Sequence, residues 1–191
     1  DPVVAAAALI QGFQTIVSRN LKPIDDSVIS VTILRAGEAT NVVPNTCTLE
    51  GTVRTFTLEV LDLIEARMKA MSDAISAAYG CSAEFQFERN YPPTINHAAQ
   101  TQVVREVASR VLGPAQLQEQ EPTMGAEDFA YMLQAKPGCY FFLGNGEGEH
   151  RTSGHGMGPC MLHNPSYDFN DALIPVGVQI WAALVADQLP A

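Results

Sequence analysis

The chain has 191 residues, 47% of them hydrophobic and 17% charged, which is typical of a folded globular protein rather than a disordered one. Its 21 acidic residues outnumber its 11 basic residues, and no cluster of Lys and Arg is present, so nucleic acid is not an expected partner. The longest apolar helical run, residues 2–17, is interrupted by polar residues and lacks the cationic start of a signal peptide, so we expect no membrane partner.

The first half of the chain predicts two helices and three strands. Apolar residues recur at helical spacing over residues 2–17, and β-branched residues predict strands over residues 28–34 and 46–56. A turn sequence containing proline joins these two strands, so we expect them to pair antiparallel. An amphipathic helix over residues 58–75 and a strictly alternating strand over residues 83–88 follow.

This order of helix, strand, strand, helix and strand predicts the fold class. It matches a ferredoxin-like, split-βαβ sheet whose first strand would precede Asp1. We place a domain boundary at residues 90–93, because the paired prolines there interrupt both helices and central strands. The predicted fold is α+β, an α/β two-layer arrangement, with one domain over residues 1–93 and another over residues 94–191.

The second domain shows fewer strands than a complete α/β domain would need. We predict helices over residues 102–112, 126–134 and 171 or 175–189, a strand over residues 139–143, and a glycine-rich loop over residues 144–159. We therefore expect this region to be the C-terminal part of a larger catalytic domain, with the other strands upstream.

The four cysteines bear on the cellular compartment. They are widely spaced and form no Cys-x-x-Cys pair, and they lie mostly in apolar or strand-like surroundings: Cys47, Cys81, Cys139 and Cys160. This pattern favours reduced thiols over a disulfide framework, so we expect a cytoplasmic protein.

Four possible metal donors lie close together in the glycine-rich region: His150, His155, Cys160 and His163. Their number matches a structural zinc site, but their spacing in a loop does not, and solvated histidines are the simpler interpretation. His163 differs, because it follows an apolar pair and precedes an Asn-Pro pair that constrains the backbone. A fixed imidazole there suits a metal ligand, and a histidine hydrogen-bonded to Asp168 is the alternative.

Candidate substrate-binding residues lie elsewhere. The segment Thr123–Phe129 places Gly125 and Glu127 at the start of a predicted helix, where free amides and the dipole favour anions, although a simple helix cap is the alternative. Arg54 suits bidentate binding of a carboxylate, and a solvated or cross-strand arginine is the alternative. Asn41 is either a turn residue or a polar substrate contact.

Six motifs spread over nearly the whole chain resemble one enzyme family. Each is weak alone, but they occur in the family's order at compatible distances. They are QTIVSRN at residues 14–20, NVVP at 41–44, GTVRTF at 51–56, NYPPTIN at 90–96, TMGAEDF at 123–129 and LHNPSYDFND at 162–171. Together they resemble the hippurate hydrolase and indole-acetyl-amino-acid amidohydrolase branch of the M20 metallopeptidase family.

The resemblance implies a reaction and a set of site residues. Such enzymes hydrolyse the amide bond of N-acyl amino acids with two divalent metals per complete subunit: zinc or manganese, with nickel or cobalt as further candidates. Metal-bound water attacks the carbonyl, and a carboxylate base takes its proton. By resemblance, His163 is a metal ligand. Asn41 and Arg54 hold the substrate, and Gly125 and Glu127 line its pocket.

The resemblance also implies a homodimer, formed through a lid domain with a four-stranded sheet and two helices, to which residues 1–93 correspond. The glutamate base and the other metal ligands of the family lie in the N-terminal part of the catalytic domain and have no counterpart in this sequence. One histidine alone holds a metal weakly, so we expect the isolated chain to be inactive. The alternative is a non-catalytic dimerisation or small-molecule-binding module derived from the lid.

Overall fold

A computed structural model describes residues 1–146 and 167–189 of the chain. Within these ranges it contains five α-helices and a two-stranded sheet, a mixed α and β architecture that confirms the predicted fold class. The chain divides into two compact units. The first contains residues 1–94 and 122–131, and the second contains residues 95–121 and the chain after residue 131. The boundary at residue 93 stays a prediction for the domains of the protein.

Helix α1 spans Pro2–Arg19 and supplies one wall of the core of the first unit. Its start is fixed by Asp1, whose carboxylate accepts the amide hydrogen of Val3 at 2.9 Å. The helix ends close to the predicted position. The side chains that recur at helical spacing on its inner face are buried: Ala5, Leu9, Phe13 and Ile16.

Two strands follow α1, with β1 at Ser27–Ala36 and β2 at Cys47–Thr55. They pair antiparallel, as predicted, and residues 37–46 form the connection between them. The register places Val28 opposite Arg54 at the end of the hairpin away from this connection. Pairing with β1 therefore fixes the backbone position of Arg54 near the end of β2.

Gly51 lies beside the β-bulge that shifts the register between Val31 and Ile33. A Cβ atom added to Gly51 would overlap the carbonyl oxygen of Ser30, so the backbone of the hairpin would have to move. We expect Gly51→Ala to lower the free energy of unfolding by about 1–3 kcal/mol, measured by urea denaturation. The control is Gly144→Ala, where the added carbon meets nothing within 4 Å and the change should stay within about 0.5 kcal/mol. Equal losses in the two variants would contradict this account of the bulge.

Helix α2 spans Leu58–Ala78 and closes the core of the first unit. The hydroxyl of Thr57 caps its start by accepting the amide hydrogen of Val60 at 3.3 Å. Gly80, at φ +68°, follows its end in the left-handed conformation that glycine adopts without strain. One cluster of buried side chains joins this helix to α1 and β1: Leu9, Phe13, Ile16, Ile29, Val60 and Ile64.

Residues 83–88 do not form the predicted strand. Their side chains alternate between half-buried and exposed, as in a strand, but their backbone pairs with no other strand of the described chain. In a split-βαβ sheet the strand after the second helix lies beside the first strand, and the sheet of the described chain contains only the two strands of the hairpin. Alternation predicts which side chains face inward, but a strand also needs a hydrogen-bonding neighbour.

The remaining helices are α3 at Ala98–Leu112, α4 at Phe129–Ala135 and α5 at Ile174–Gln188. A turn of 3₁₀-helix over Asp171–Leu173 precedes α5, which explains why the sequence offered two possible starts for that helix. Helix α3 begins before its predicted start and α4 after it. None of the helices in the described ranges has the length and apolar character that crossing a membrane requires.

Helices α3 and α5 pack together in the second unit. Val107 of α3 and Ile180 of α5 are both buried, and Arg110 forms an ion pair with Asp187 at 2.6 Å. The hydrogen bond from Arg110 lowers the pKa of the Asp187 carboxyl from its ordinary value. The other face of α5 is also apolar, yet exposed, and carries Val178, Trp181 and Val185.

The predicted strand over residues 139–143 is also wrong, because this segment has no ladder partner in the described chain. A side chain occupies the place of a neighbouring strand. The carboxamide of Asn96 donates to the carbonyl of Tyr140 and accepts from its amide, both at 2.7 Å. One asparagine therefore satisfies the backbone groups that a strand would have paired.

Candidate functional site

Arg54 brings β2 into contact with the segment over residues 122–131. Its guanidinium donates a hydrogen bond to the backbone carbonyl of Met124, the residue before Gly125. Arginine has five N–H donors in a planar fork, so this contact leaves donors for a carboxylate, and the side chain is exposed. The structure thus places Arg54 beside the Gly125 segment, and their role in binding substrate stays a prediction.

Gly125 and Glu127 lie just ahead of α4. Gly125 is exposed, and a side-chain carbon added there would meet nothing within 4 Å. Glu127 is half-buried, and its Oε1 accepts the amide hydrogen of Phe129 at 3.4 Å, while its carbonyl accepts that of Ala130 at 3.2 Å. These contacts are those of a helix cap. Capping orients the Glu127 carboxylate, and the open space at Gly125 leaves room for a small molecule.

Asn41 is not brought together with Arg54 on the hairpin. It is exposed in the connection between the strands, whereas Arg54 lies near the far end of β2. Arg54 is the seventh residue after Cys47, the first residue of β2, and seven steps correspond to roughly 23 Å of extended strand. One small ligand held by Arg54 therefore does not reach the Asn41 of the same hairpin.

The described residues do not form a metal site. Residues 1–146 and 167–189 contain no group of three or more His, Cys, Asp or Glu side chains that could hold an ion. His97 serves the fold instead, since its Nδ1 accepts the amide hydrogen of Gly138 at 3.2 Å. The predicted ligand His163, and the alternative cluster with His150, His155 and Cys160, lie outside the described residues.

Two asparagines that the sequence did not single out join the chain on either side of residues 147–166. Asn145 accepts the amide hydrogen of Asn170 at 3.0 Å and donates to the carbonyl of Asp168 at 3.2 Å. Asn170 in turn donates its side-chain amide to the Asn145 carbonyl at 3.2 Å. The sequence signal for a turn here is the pair Asn145-Gly146, because Asn-Gly pairs favour turns. In the structure Gly146 has a φ of +69°, which suits such a turn.

A separate groove of about 500 Å³ lies between α2 and the segment after it. Its walls include Phe85, Phe87 and Arg89, and none of the predicted substrate residues lines it. Hydrogen bonds to Glu65 and then to Asp62 raise the pKa of Arg89 above its ordinary value. Because its cation is already paired with two carboxylates, this groove is a weaker candidate for binding a substrate carboxylate than the surroundings of Arg54.

The fold is that of an M20-type peptidase. Alignment covers 99% of this chain and 46% of the YxeP protein of Bacillus subtilis, whose structure is described as a dinuclear metal-binding peptidase from the M20 family. The two structures agree with a TM-score of 0.78 at 29% sequence identity. A two-stranded hairpin with helices, followed by a mainly helical unit, therefore has a close counterpart among solved metallopeptidases.

The chain belongs to peptidase family M20/M25/M40, whose sequence profile matches residues 5–187. The N-acetyl-L-cysteine deacetylase of Bacillus subtilis (strain 168) is 38% identical, over 91% of this chain and 39% of that protein. IAA-amino acid hydrolase ILR1-like 2 of Arabidopsis thaliana is 32% identical, over 99% of this chain and 42% of that protein. The family predicted from the six motifs is confirmed, and the chain spans less than half the length of these relatives.

Proposed function

We propose that the protein containing this chain hydrolyses the amide bond of N-acyl amino acids. The observation that carries the proposal is the guanidinium of Arg54 beside the Gly125 segment, in a chain of the M20 family. The names of the relatives refer to N-acetyl-L-cysteine and to IAA-amino acids, which are both acylated amino acids with a free carboxylate. A planar guanidinium suits such a carboxylate. Hippurate is the substrate that we propose from the sequence motifs.

We propose two divalent metals for each complete subunit, zinc or manganese, with nickel or cobalt as further candidates. Support comes from the YxeP structure, which is described as dinuclear. The described residues of this chain hold no three-donor cluster, so the metals need donors from outside them. His163 is the residue of this chain to which we assign that role, on the strength of its sequence motif.

A homodimer formed through the first unit is also part of the proposal. Asn41 lies too far along the hairpin to share a small substrate with the Arg54 of its own chain, so its proposed role fits a site in a neighbouring copy. Val42 and Val43, which follow Asn41, are 61% and 63% exposed, and exposed apolar turns are common at contact surfaces.

A cytoplasmic location is the last part of the proposal. The widely spaced cysteines support it, because they favour reduced thiols over a disulfide framework.

The proposal predicts a difference between this chain and a longer protein. We expect the protein translated from a reading frame extended upstream of Asp1 to hydrolyse hippurate when loaded with zinc or manganese. The 191-residue chain alone should not, since by resemblance it supplies His163 as its one metal ligand, and one histidine holds a metal weakly. Release of the free amino acid from hippurate and from several other N-acyl amino acids measures both.

The matched variant is His163→Ala in the longer protein, which should remove bound metal and activity together. Activity in the 191-residue chain that His163→Ala abolishes would show that the chain is catalytic by itself. Activity in neither protein would favour the non-catalytic module, and saturable binding of an acyl amino acid by a discrete dimer would then identify it.

A further inference from the structure

The segment Pro122–Tyr131 belongs to the first unit, although the residues on both sides of it along the chain belong to the second. Few of its side chains are buried, and Ala130 is the one with no exposed surface. Apolar burial therefore does little to hold this segment in place. Two specific contacts, one near each end, also hold it in the first unit.

One end is held through Arg54. The guanidinium reaches from β2 to the carbonyl of Met124, next to Gly125. Because Arg54 lies in a paired strand, its backbone position is determined by the ladder opposite Val28. The contact thus links the start of the segment to the paired strands of the hairpin.

The other end is held through Tyr131. Its hydroxyl donates a hydrogen bond to the backbone carbonyl of Asn90, and its ring lies 6.1 Å from that of Tyr91, inclined by 54°. The acceptor precedes Pro92 and Pro93, whose rings restrict the backbone. Tyr131 therefore fastens the end of the segment to a stiff part of the first unit.

We propose that Tyr131 is a positioning residue, which together with Arg54 fixes both ends of the segment that carries Gly125 and Glu127. The inference rests on the proposed function, in which Gly125 and Glu127 line the substrate pocket. A segment fixed at both ends loses less conformational freedom when a ligand binds than one fixed at a single end. Tyr131 does not touch the substrate in this account and acts through the position of its neighbours.

The test is hydrogen–deuterium exchange of the 191-residue chain carrying Tyr131→Phe, which keeps the ring and removes the hydroxyl. We expect peptides over residues 122–131 to exchange about two- to tenfold faster, the effect of losing one ordinary hydrogen bond. Exchange in α1 and α2, and the thermal midpoint, should stay unchanged. Tyr91→Phe is the matched control, since it keeps the same pair of rings and should leave this segment as it is.

A second variant examines the opposite end. Arg54→Ala should also speed exchange over residues 122–131, and combining it with Tyr131→Phe should produce less than the product of the two single effects, because losing either contact already weakens the other. Unchanged exchange in Tyr131→Phe would overturn the inference, as would an equal change in Tyr91→Phe or faster exchange spread over the whole chain.

The measurement needs no catalysis, so it separates the two proposals. If Tyr131→Phe speeds exchange over residues 122–131, but the longer protein hydrolyses no acyl amino acid, the role of Tyr131 is retained and the proposed function is removed. In an active longer protein, Tyr131→Phe should raise KM for hippurate by about two- to tenfold with little change in kcat. An unchanged KM there would confine Tyr131 to a structural role.

Discussion

Replacing Ile64 with alanine is expected to lower the free energy of unfolding of this chain by about 2–5 kcal/mol. Ile64 has no exposed surface and lies in the cluster formed by α1, α2 and β1. Removing its outer carbons leaves a cavity between elements that are held by other contacts and cannot fully collapse. Because the total stability of a domain is about 5–15 kcal/mol, the loss should be plain in urea denaturation followed by circular dichroism.

The neighbouring residue of the same helix provides the control. Leu63 is 38% exposed, so Leu63→Ala removes a similar volume from a position where solvent already reaches the side chain. Its cost should be clearly smaller than that of Ile64→Ala, about 1 kcal/mol or less. Similar losses at the two positions would mean that helix propensity or the unfolded state, rather than packing against α1, decides the stability of α2.

Under the proposed hydrolysis of hippurate by a longer protein, Arg54→Ala is expected to reduce kcat/KM roughly thirty- to several-thousand-fold, which corresponds to about 2–5 kcal/mol of lost transition-state stabilisation. The reason is that the substrate carboxylate would lose its charged partner while remaining in the pocket. A substrate analogue with an uncharged amide in place of the carboxylate should be processed poorly by the unmodified protein and should lose little more in the variant.

Arg35 is a matched control on the same hairpin. It forms an ion pair with Glu50, and the two side chains are 65% and 50% exposed. Arg35→Ala should therefore change the activation free energy derived from kcat/KM by no more than about 1 kcal/mol. If Arg54→Ala reduced activity equally towards the charged and uncharged substrates, Arg54 would act by holding the carbonyl of Met124 rather than by binding a carboxylate.

The helices were predictable because their pattern is local. Apolar spacing identified α1 and α2, and Gly80 marked the end of α2. Local pattern also predicted the hairpin, since two β-branched runs joined by a proline-containing connection commonly pair with each other. These predictions needed no knowledge of the rest of the chain.

The two wrong strands have a common cause. Residues 83–88 and 139–143 carry apolar side chains in a strand-like pattern, but pairing depends on residues far away along the chain. At Tyr140 the partner is the side chain of Asn96, a substitution that no periodicity indicates. Composition predicts that a segment is extended, and it does not say what the segment pairs with.

The candidate site divides in the same way. The motifs named Arg54 and Gly125, and the structure places Arg54 beside the residue before Gly125. The distance along β2 between the Asn41 turn and Arg54 followed only once the register was known. Tyr131 was not predictable as a contact of Asn90, because 41 residues separate them and a single hydroxyl carries no periodic signal.

Helix α5 has a practical consequence that follows from its two apolar faces. A helix that is hydrophobic all round is normally enclosed by other protein, and here one face packs towards α3 while Trp181 on the other is 61% exposed. Trp181 is also the only tryptophan in the sequence, and its ring lies 5.8 Å from that of Phe141. Its fluorescence is therefore an intrinsic probe: the wavelength of its emission maximum reports whether another polypeptide covers the exposed face of α5.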